Sequence, residues 1–147
     1  MPVVRGCNFP DDLFYDVERH VWYAPAKHGL VRAGMTQVGV ALAREVLVFT
    51  PKRPGTEFEK GRAFAAVESA KWIGSVRCAF NGVVASVNED AKRDTALIND
   101  DCYGKGWMLL VKPATENWRE GLAAGDAVAA VYEAWMESEA WPGCEKA

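Results

Sequence analysis

Between residues 46 and 111 the chain is a succession of short apolar runs, each closed by turn-forming residues. The runs cover residues 46–49, 62–67, 72–80, 83–87 and 106–111, and Pro51, Pro54-Gly55, Asn81-Gly82 and Pro113 punctuate them. Strands of this length closed by turns predict a mainly β fold, a compact β sandwich. The unbroken run at 46–49 predicts a strand covered on both faces. Asn81-Gly82 is the pair that a type I′ hairpin favours, and Trp107, Leu109 and Val111 alternate onto one strand face.

One of these turns carries a lysine. Phe64 to Val67 leads into Glu68-Ser69-Ala70-Lys71, and Trp72, Ile73 and Val76 lead out. Antiparallel pairing of the two runs sets Lys71 at or near the exposed bend. A surface hairpin with a solvated lysine is ordinary, so the pentapeptide by itself assigns no chemistry.

The flanks read differently. Residues 1–12 are irregular, residues 13–22 form a helical turn running into a strand, residues 24–30 a loop and residues 31–34 a short strand. Thr36 is the expected N-cap of a short helix over 37–43. Residues 88–94 read as a polar turn before 95–98. After Pro113 the period changes. Val128, Val131, Tyr132, Trp135 and Met136 recur at helical spacing behind Asp126, a second expected N-cap, so residues 127–139 form an amphipathic helix packed on the sandwich. A weaker helix is expected over 116–122, and a frayed tail from Pro142 leaves Cys144 exposed. His20 reads as a packed or solvent-edge histidine, with no nucleophile beside it, and Trp22 and Tyr23 read as core.

At 147 residues the size prior is one domain, 1–147, with 114–147 as a helical C-terminal extension. Seventeen basic against twenty acidic residues leave a formal charge of −3, which provides no footprint for nucleic acid. No run is long enough to span a membrane and the first residues do not form a signal peptide, so cytoplasmic residence is the default. The four cysteines, Cys7, Cys78, Cys102 and Cys144, lie far apart and match no metal spacing, and reduced thiols are expected.

Around the lysine, Gly34-Met35-Thr36, Gly61, Asn81-Gly82, Leu97-Ile98-Asn99-Asp100-Asp101 and Tyr103-Gly104-Lys105-Gly106-Trp107 follow in order, and His20 and Trp22 stand near the start. In that order the set, from about residue 15 to 113, resembles the H protein of the glycine cleavage system, a lipoyl carrier. The resemblance implies a lipoyl-domain barrel-sandwich hybrid, a flattened β sandwich with a lysine-bearing hairpin. It also implies lipoate attached to Lys71, with Glu68 and Ser69 at the recognition positions of the Glu-Ser-x-Lys motif. Shaping the turn is an equal alternative for those two. A carrier of this kind needs no acid–base pair of its own, so the chain is not expected to be an enzyme.

Departures from the usual pattern are Ala43-Arg44-Glu45 for Leu-Gly-Asp, Cys102 for the proline of Asp-Pro-Tyr, and Trp72 for a small residue after the lysine. The opening, Arg5-Gly6-Cys7 with Phe9 to Val17, is similar to lipoate-binding proteins that serve the heterodisulfide-reductase-like complex of bacterial sulfur oxidation. That branch is the expectation, with a glycine cleavage H protein as the alternative and an unmodified lipoyl-like interaction module as a third reading. The implied partners are lipoate-attaching enzymes, the heterodisulfide-reductase-like complex or the glycine cleavage components, and dihydrolipoamide dehydrogenase. Cys7 and Cys102 are set aside, because a buried cysteine more often serves as a small hydrophobe.

Overall fold

The computed structural model describes residues 3–144. The chain opens with a small hairpin, β1 (Val3–Val4) and β2 (Cys7–Asn8), turned at Arg5 and Gly6, which have φ of 48° and 80°. It continues through β3 (Phe14–Asp16), β4 (Val21–Pro25), β5 (Val31–Met35) and α1 (Gln37–Ala43). Next come β6 (Val48–Pro51), β7 (Glu57–Phe58), β8 (Ala63–Glu68), β9 (Ile73–Arg77) and β10 (Gly82–Val87). Two single-turn helices, α2 (Glu89–Arg93) and α3 (Ala96–Asp100), precede β11 (Leu109–Pro113), β12 (Ala123–Ala124) and α4 (Ala127–Ser138).

Two antiparallel sheets form the body, one in the order β12-β3-β4-β5-β11-β10-β7 and the other β6-β8-β9. A shared core lies between them. Tyr23, Val31 and Ala33 of the larger sheet belong to the same buried cluster as Phe49, Phe64, Val67 and Val76 of the smaller one. The expected β sandwich with short helices and a C-terminal helix is the architecture observed. A second cluster joins α4 to the outer side of β3 and β4, with Phe9 stacked on Tyr132 at 4.3 Å between ring centres and Trp22, Val128 and Met136 beside them.

Several local expectations change. Residues 13–22 hold β3 and the start of β4 rather than a helical turn, because Phe14–Asp16 pairs with Val21–Tyr23. The first twelve residues are not wholly irregular but contain the β1–β2 hairpin. The run at 46–49 is not covered on both faces. Val46 and Phe49 are buried while Leu47 and Val48 are exposed, since β6 is an edge strand. Asn81-Gly82 does not close a hairpin, because β9 and β10 belong to different sheets. Asn81 instead ties neighbouring loops, its Oδ1 accepting from the Lys60 N–H at 2.7 Å and its carbonyl from the Ala114 N–H at 2.8 Å.

Residues 88–94 contain α2 rather than a plain turn, because Asn88 Oδ1 caps it at the Ala91 N–H, 3.3 Å away; residues 96–98 are helical in α3. The Thr36 cap of α1 is present, with the Gly39 N–H donating to Oγ1 at 3.2 Å. Asp126 precedes α4 without a side-chain cap bond. Residues 116–122 form turns in place of a helix, and β12 then joins the large sheet beside β3.

The cysteines divide. Cys7 and Cys144, 137 positions apart, are joined in a disulfide with Cα atoms 5.1 Å apart, so the expectation of reduced thiols and an exposed Cys144 fails for this pair. Packing of the first hairpin against the end of α4 brings them together, a contact that spacing along the chain does not reveal. Cys78 and Cys102 are free and buried.

Candidate functional site around the Lys71 hairpin

β8 runs down the middle of the small sheet and β9 returns beside it, with Val67 opposite Gly74 and Glu68 opposite Ile73. The bend is as short as a hairpin allows. The Ser69 N–H donates to the Trp72 carbonyl at 2.8 Å, and the Ser69 hydroxyl lies 3.5 Å from the same oxygen. Ala70 and Lys71 are therefore the two residues at the bend, and both are exposed. Among the described residues the Lys71 ammonium has no hydrogen bond or ion pair, and its stem is free to extend into solvent.

The base of the bend is stiff. Phe64, Val67 and Val76 are buried beneath it, and the Glu68 carbonyl accepts from the Leu47 N–H at 2.8 Å on the edge strand's side. Beyond β9, the Ala79 N–H donates to the Tyr23 hydroxyl at 3.0 Å and pins the chain to the larger sheet. Glu68 is half-buried at the end of β8, and Ser69 is half-buried with its hydroxyl at the turn.

Two hollows meet at Trp72, and the first of them reaches Lys71. One, of about 440 Å³, is lined by Leu42, Arg44, Leu47, Ala70, Lys71 and Trp72. The other, of about 260 Å³, lies under Trp72 and reaches Met35, Val67, Val76 and His20. Trp72 and Leu42 stand between the two. The indole lies along its own strand over Gly74, where a β-carbon would come within 2.1 Å of the ring. The result is an apolar collar, with Leu42, Leu47 and Trp72 each close to half exposed and Ile73 74% exposed. Soluble surfaces rarely gather so many large apolar groups without a contact to make.

The structure thus brings residues 43–45 and Trp72, separated in sequence by nearly thirty positions, to the same side of Lys71. Cys102 is elsewhere. It is buried under the aromatic cluster, its carbonyl accepts from Trp22 Nε1 at 3.0 Å, and burial pushes its thiol up to about 12. Burial likewise raises the Cys78 thiol. Neither is poised as a thiolate.

His20 forms the far wall of the inner hollow. Its backbone has φ of 59°, its ring meets Trp135 edge-on at 4.7 Å, and its Nδ1 is buried without a partner. Burial lowers its pKa to about 4, so the imidazole is neutral at ordinary pH.

Sequence reading did not identify Leu42, Leu47 or Asn99 as part of this neighbourhood. Asn99 bridges both backbone groups of Val46, accepting from its N–H at 2.8 Å and donating to its carbonyl at 2.9 Å, and so holds the segment that carries Leu47. Leu42 and Leu47 are each exposed beside one buried chain neighbour, Ala43 and Val46, an arrangement that only the fold reveals. Among the described residues no helix is long and apolar enough to cross a membrane, and no group of three or more His, Cys, Asp or Glu side chains is arranged to hold a metal ion.

The two sheets and their short hairpin define a β sandwich of the lipoyl-domain kind. The chain belongs to the glycine cleavage H-protein family, whose profile it matches over residues 13–135. Relatives include glycine cleavage system H protein 5 of Aquifex aeolicus, 40% identical over 118 residues that cover 78% of this chain and 79% of that one. Glycine cleavage system H protein 2 of the same organism is 37% identical across 92% of this chain and 84% of its own length. The crystal structure of a glycine cleavage system H protein from Mycobacterium marinum superposes with a TM-score of 0.72 at 27% identity, covering 86% of this chain and 99% of that one.

Proposed function

We propose that Lys71 is the attachment point of lipoate, and that the protein is a non-enzymatic carrier presenting this arm to the enzymes of a glycine cleavage system. The observation that carries the reading is the position of Lys71, exposed and unpaired on a two-residue bend in an H-protein fold. The names of the relatives point to the same system. An amide between Nζ and the lipoate carboxyl places a cyclic disulfide, a labile acceptor for exchange and group transfer, at the end of a long chain. The hairpin supplies the rest. Its rigid base fixes where the arm starts, Glu68 and Ser69 shape the bend that an attaching enzyme must grip, and the collar of Leu42, Leu47 and Trp72 meets whichever partner receives the arm. The partners are lipoate-attaching enzymes, the decarboxylase and aminomethyltransferase components, and dihydrolipoamide dehydrogenase.

A second reading assigns the carrier to a heterodisulfide-reductase-like complex of sulfur oxidation. Its support is the ground beside the arm. The indole of Trp72 and the segment 43–45 both stand next to Lys71, and both depart from the pattern that glycine-cleavage H proteins resemble. Such differences select partners by excluding the wrong one.

The test is reconstitution. Incubation with lipoate, ATP and a lipoate-attaching enzyme, followed by peptide mass spectrometry, should place the acyl group on Lys71 alone among the eight lysines. The loaded protein should then support exchange of the glycine carboxyl carbon with bicarbonate in the presence of the decarboxylase and aminomethyltransferase. Loading without exchange, together with impaired oxidation of reduced sulfur compounds in a deletion strain, transfers the assignment to the second reading. Failure of any lysine to be acylated leaves an unmodified interaction module.

A further inference from the structure

We propose that the Cys7–Cys144 disulfide is a thiol–disulfide exchange site, reduced in the folded protein by a small dithiol, and that its opening releases the C-terminal end of α4 from the first hairpin. The two sulfurs are unequal. Cys7 is fully buried under the β1–β2 hairpin, whereas Cys144 is only partly covered at the surface. Attack therefore falls on Cys144 Sγ. The incoming thiolate forms a mixed disulfide there, Cys7 leaves as a thiolate and takes a proton from water, and the second thiol of the reagent displaces Cys144. The reagent ends as a cyclic disulfide, and two protein thiols have gained the two electrons it lost.

What else holds this junction is weak and local. The Cys144 N–H donates to the Arg5 carbonyl at 2.9 Å, and Arg5 reaches Glu133 and Glu137 of α4 at 2.7 and 2.9 Å on the surface, where salt screens such pairs. The fit is close but narrow. A β-carbon at Gly143, which has φ of 124°, would come within 2.1 Å of the Arg5 carbonyl oxygen. Loss of the covalent link leaves residues 141–144 held by these contacts together with the Arg5 Nη1 bond to the Trp141 carbonyl at 3.0 Å and the edge packing of Trp141 on Trp135, each of which can exchange with water.

The consequence extends along a row of aromatic rings. Trp141 meets Trp135 at 5.8 Å, Trp135 meets His20 at 4.7 Å, and His20 lines the hollow that Trp72 also lines. Opening the junction removes the support behind Trp135 first and behind His20 next. The Phe9–Tyr132 stack and the buried Val128 and Met136 keep the rest of α4 in place.

The proposal is independent of acylation and is tested on the unmodified full-length protein with dithiothreitol as the dithiol. Reduction without denaturant, followed by iodoacetamide and mass spectrometry, should label Cys7 and Cys144 and leave the buried Cys78 and Cys102 unlabelled. The rate should rise in proportion to the dithiol concentration. Hydrogen exchange should then accelerate over residues 135–144 and at the backbone of His20 while β4 and β5 stay protected, and the melting temperature should fall by about 10 °C or more, as expected when a loop of this length is opened. Oxidised dithiothreitol should reverse each change. Cys144→Ser should match the reduced parent and not respond to the reagent. Labelling of Cys7 and Cys144 without prior reduction, reduction that occurs only in denaturant, or unchanged exchange over 135–144 after reduction would each overturn the proposal, and these readings of the parent protein hold even if the variant folds poorly.

Discussion

The indole of Trp72 occupies the space over the α-carbon of Gly74, so that a methyl group at position 74 would sit 2.1 Å from Cη2 and Cζ2 of the ring. The glycine is what lets a bulky residue next to the lysine lie along the strand. Gly74→Ala should therefore swing Trp72 into solvent and merge the two hollows that Trp72 and Leu42 separate. The cost should be about 1 kcal/mol, the low end for overpacking, because the ring has open space to move into. A red shift in the tryptophan emission that is absent in a Trp72→Phe background checks this; an unchanged spectrum would mean the ring is not seated on Gly74.

Lys71→Arg should abolish acylation by a lipoate-attaching enzyme while leaving the fold intact. The side chain is exposed at the bend and unpaired among the described residues, so stability should change by no more than about 0.5 kcal/mol. Peptide mass spectrometry and a melting curve give the two readouts. A variant that unfolds would make Lys71 a structural residue.

His20 predicts a pH dependence. Its folded pKa, about 4, lies below the ordinary 6.5, so the unfolded chain takes up the proton first as the pH falls. Stability should then decline between about pH 6.5 and 4, by about 1–3 kcal/mol in all, and be insensitive to this group at higher pH. Asparagine tolerates the positive φ at this position, so His20→Asn should remove this part of the slope without breaking the turn. Urea midpoints for the two proteins across that range provide the comparison; parallel curves would show that His20 does not contribute.

Trp22 is fully buried and its Nε1 donates to the Cys102 carbonyl. Trp22→Phe should leave that oxygen without its donor and open space beneath Tyr103, whose ring lies 6.2 Å away. A loss of about 2–4 kcal/mol is expected, combining an unmade hydrogen bond with a cavity. Chemical denaturation measures it, and a loss below about 1 kcal/mol would show that the region repacks.

Much of this protein is written in short stretches of the chain. The apolar runs around residues 62–76, with Glu68 and Ser69 between them, encode the hairpin and leave Lys71 at its bend; Thr36 caps α1 through a hydroxyl three residues from its donor; Val128, Tyr132 and Met136 mark the buried stripe of α4. Each of these depends on neighbours within one turn or one strand pair, where the type of residue settles the geometry. Other features had no local signature. Asn81-Gly82 has the composition of a hairpin, but its flanking strands find partners in different sheets. The run at 46–49 looks buried on both faces and lies at an edge. The link between Cys7 and Cys144, the meeting of Leu42 and Leu47 with Lys71, and the seating of His20 against Trp135 join residues from 24 to 137 positions apart. Only the packing of the two sheets, the first hairpin and α4 brings those groups within contact distance, because surface burial and strand pairing act through space and are indifferent to separation along the chain.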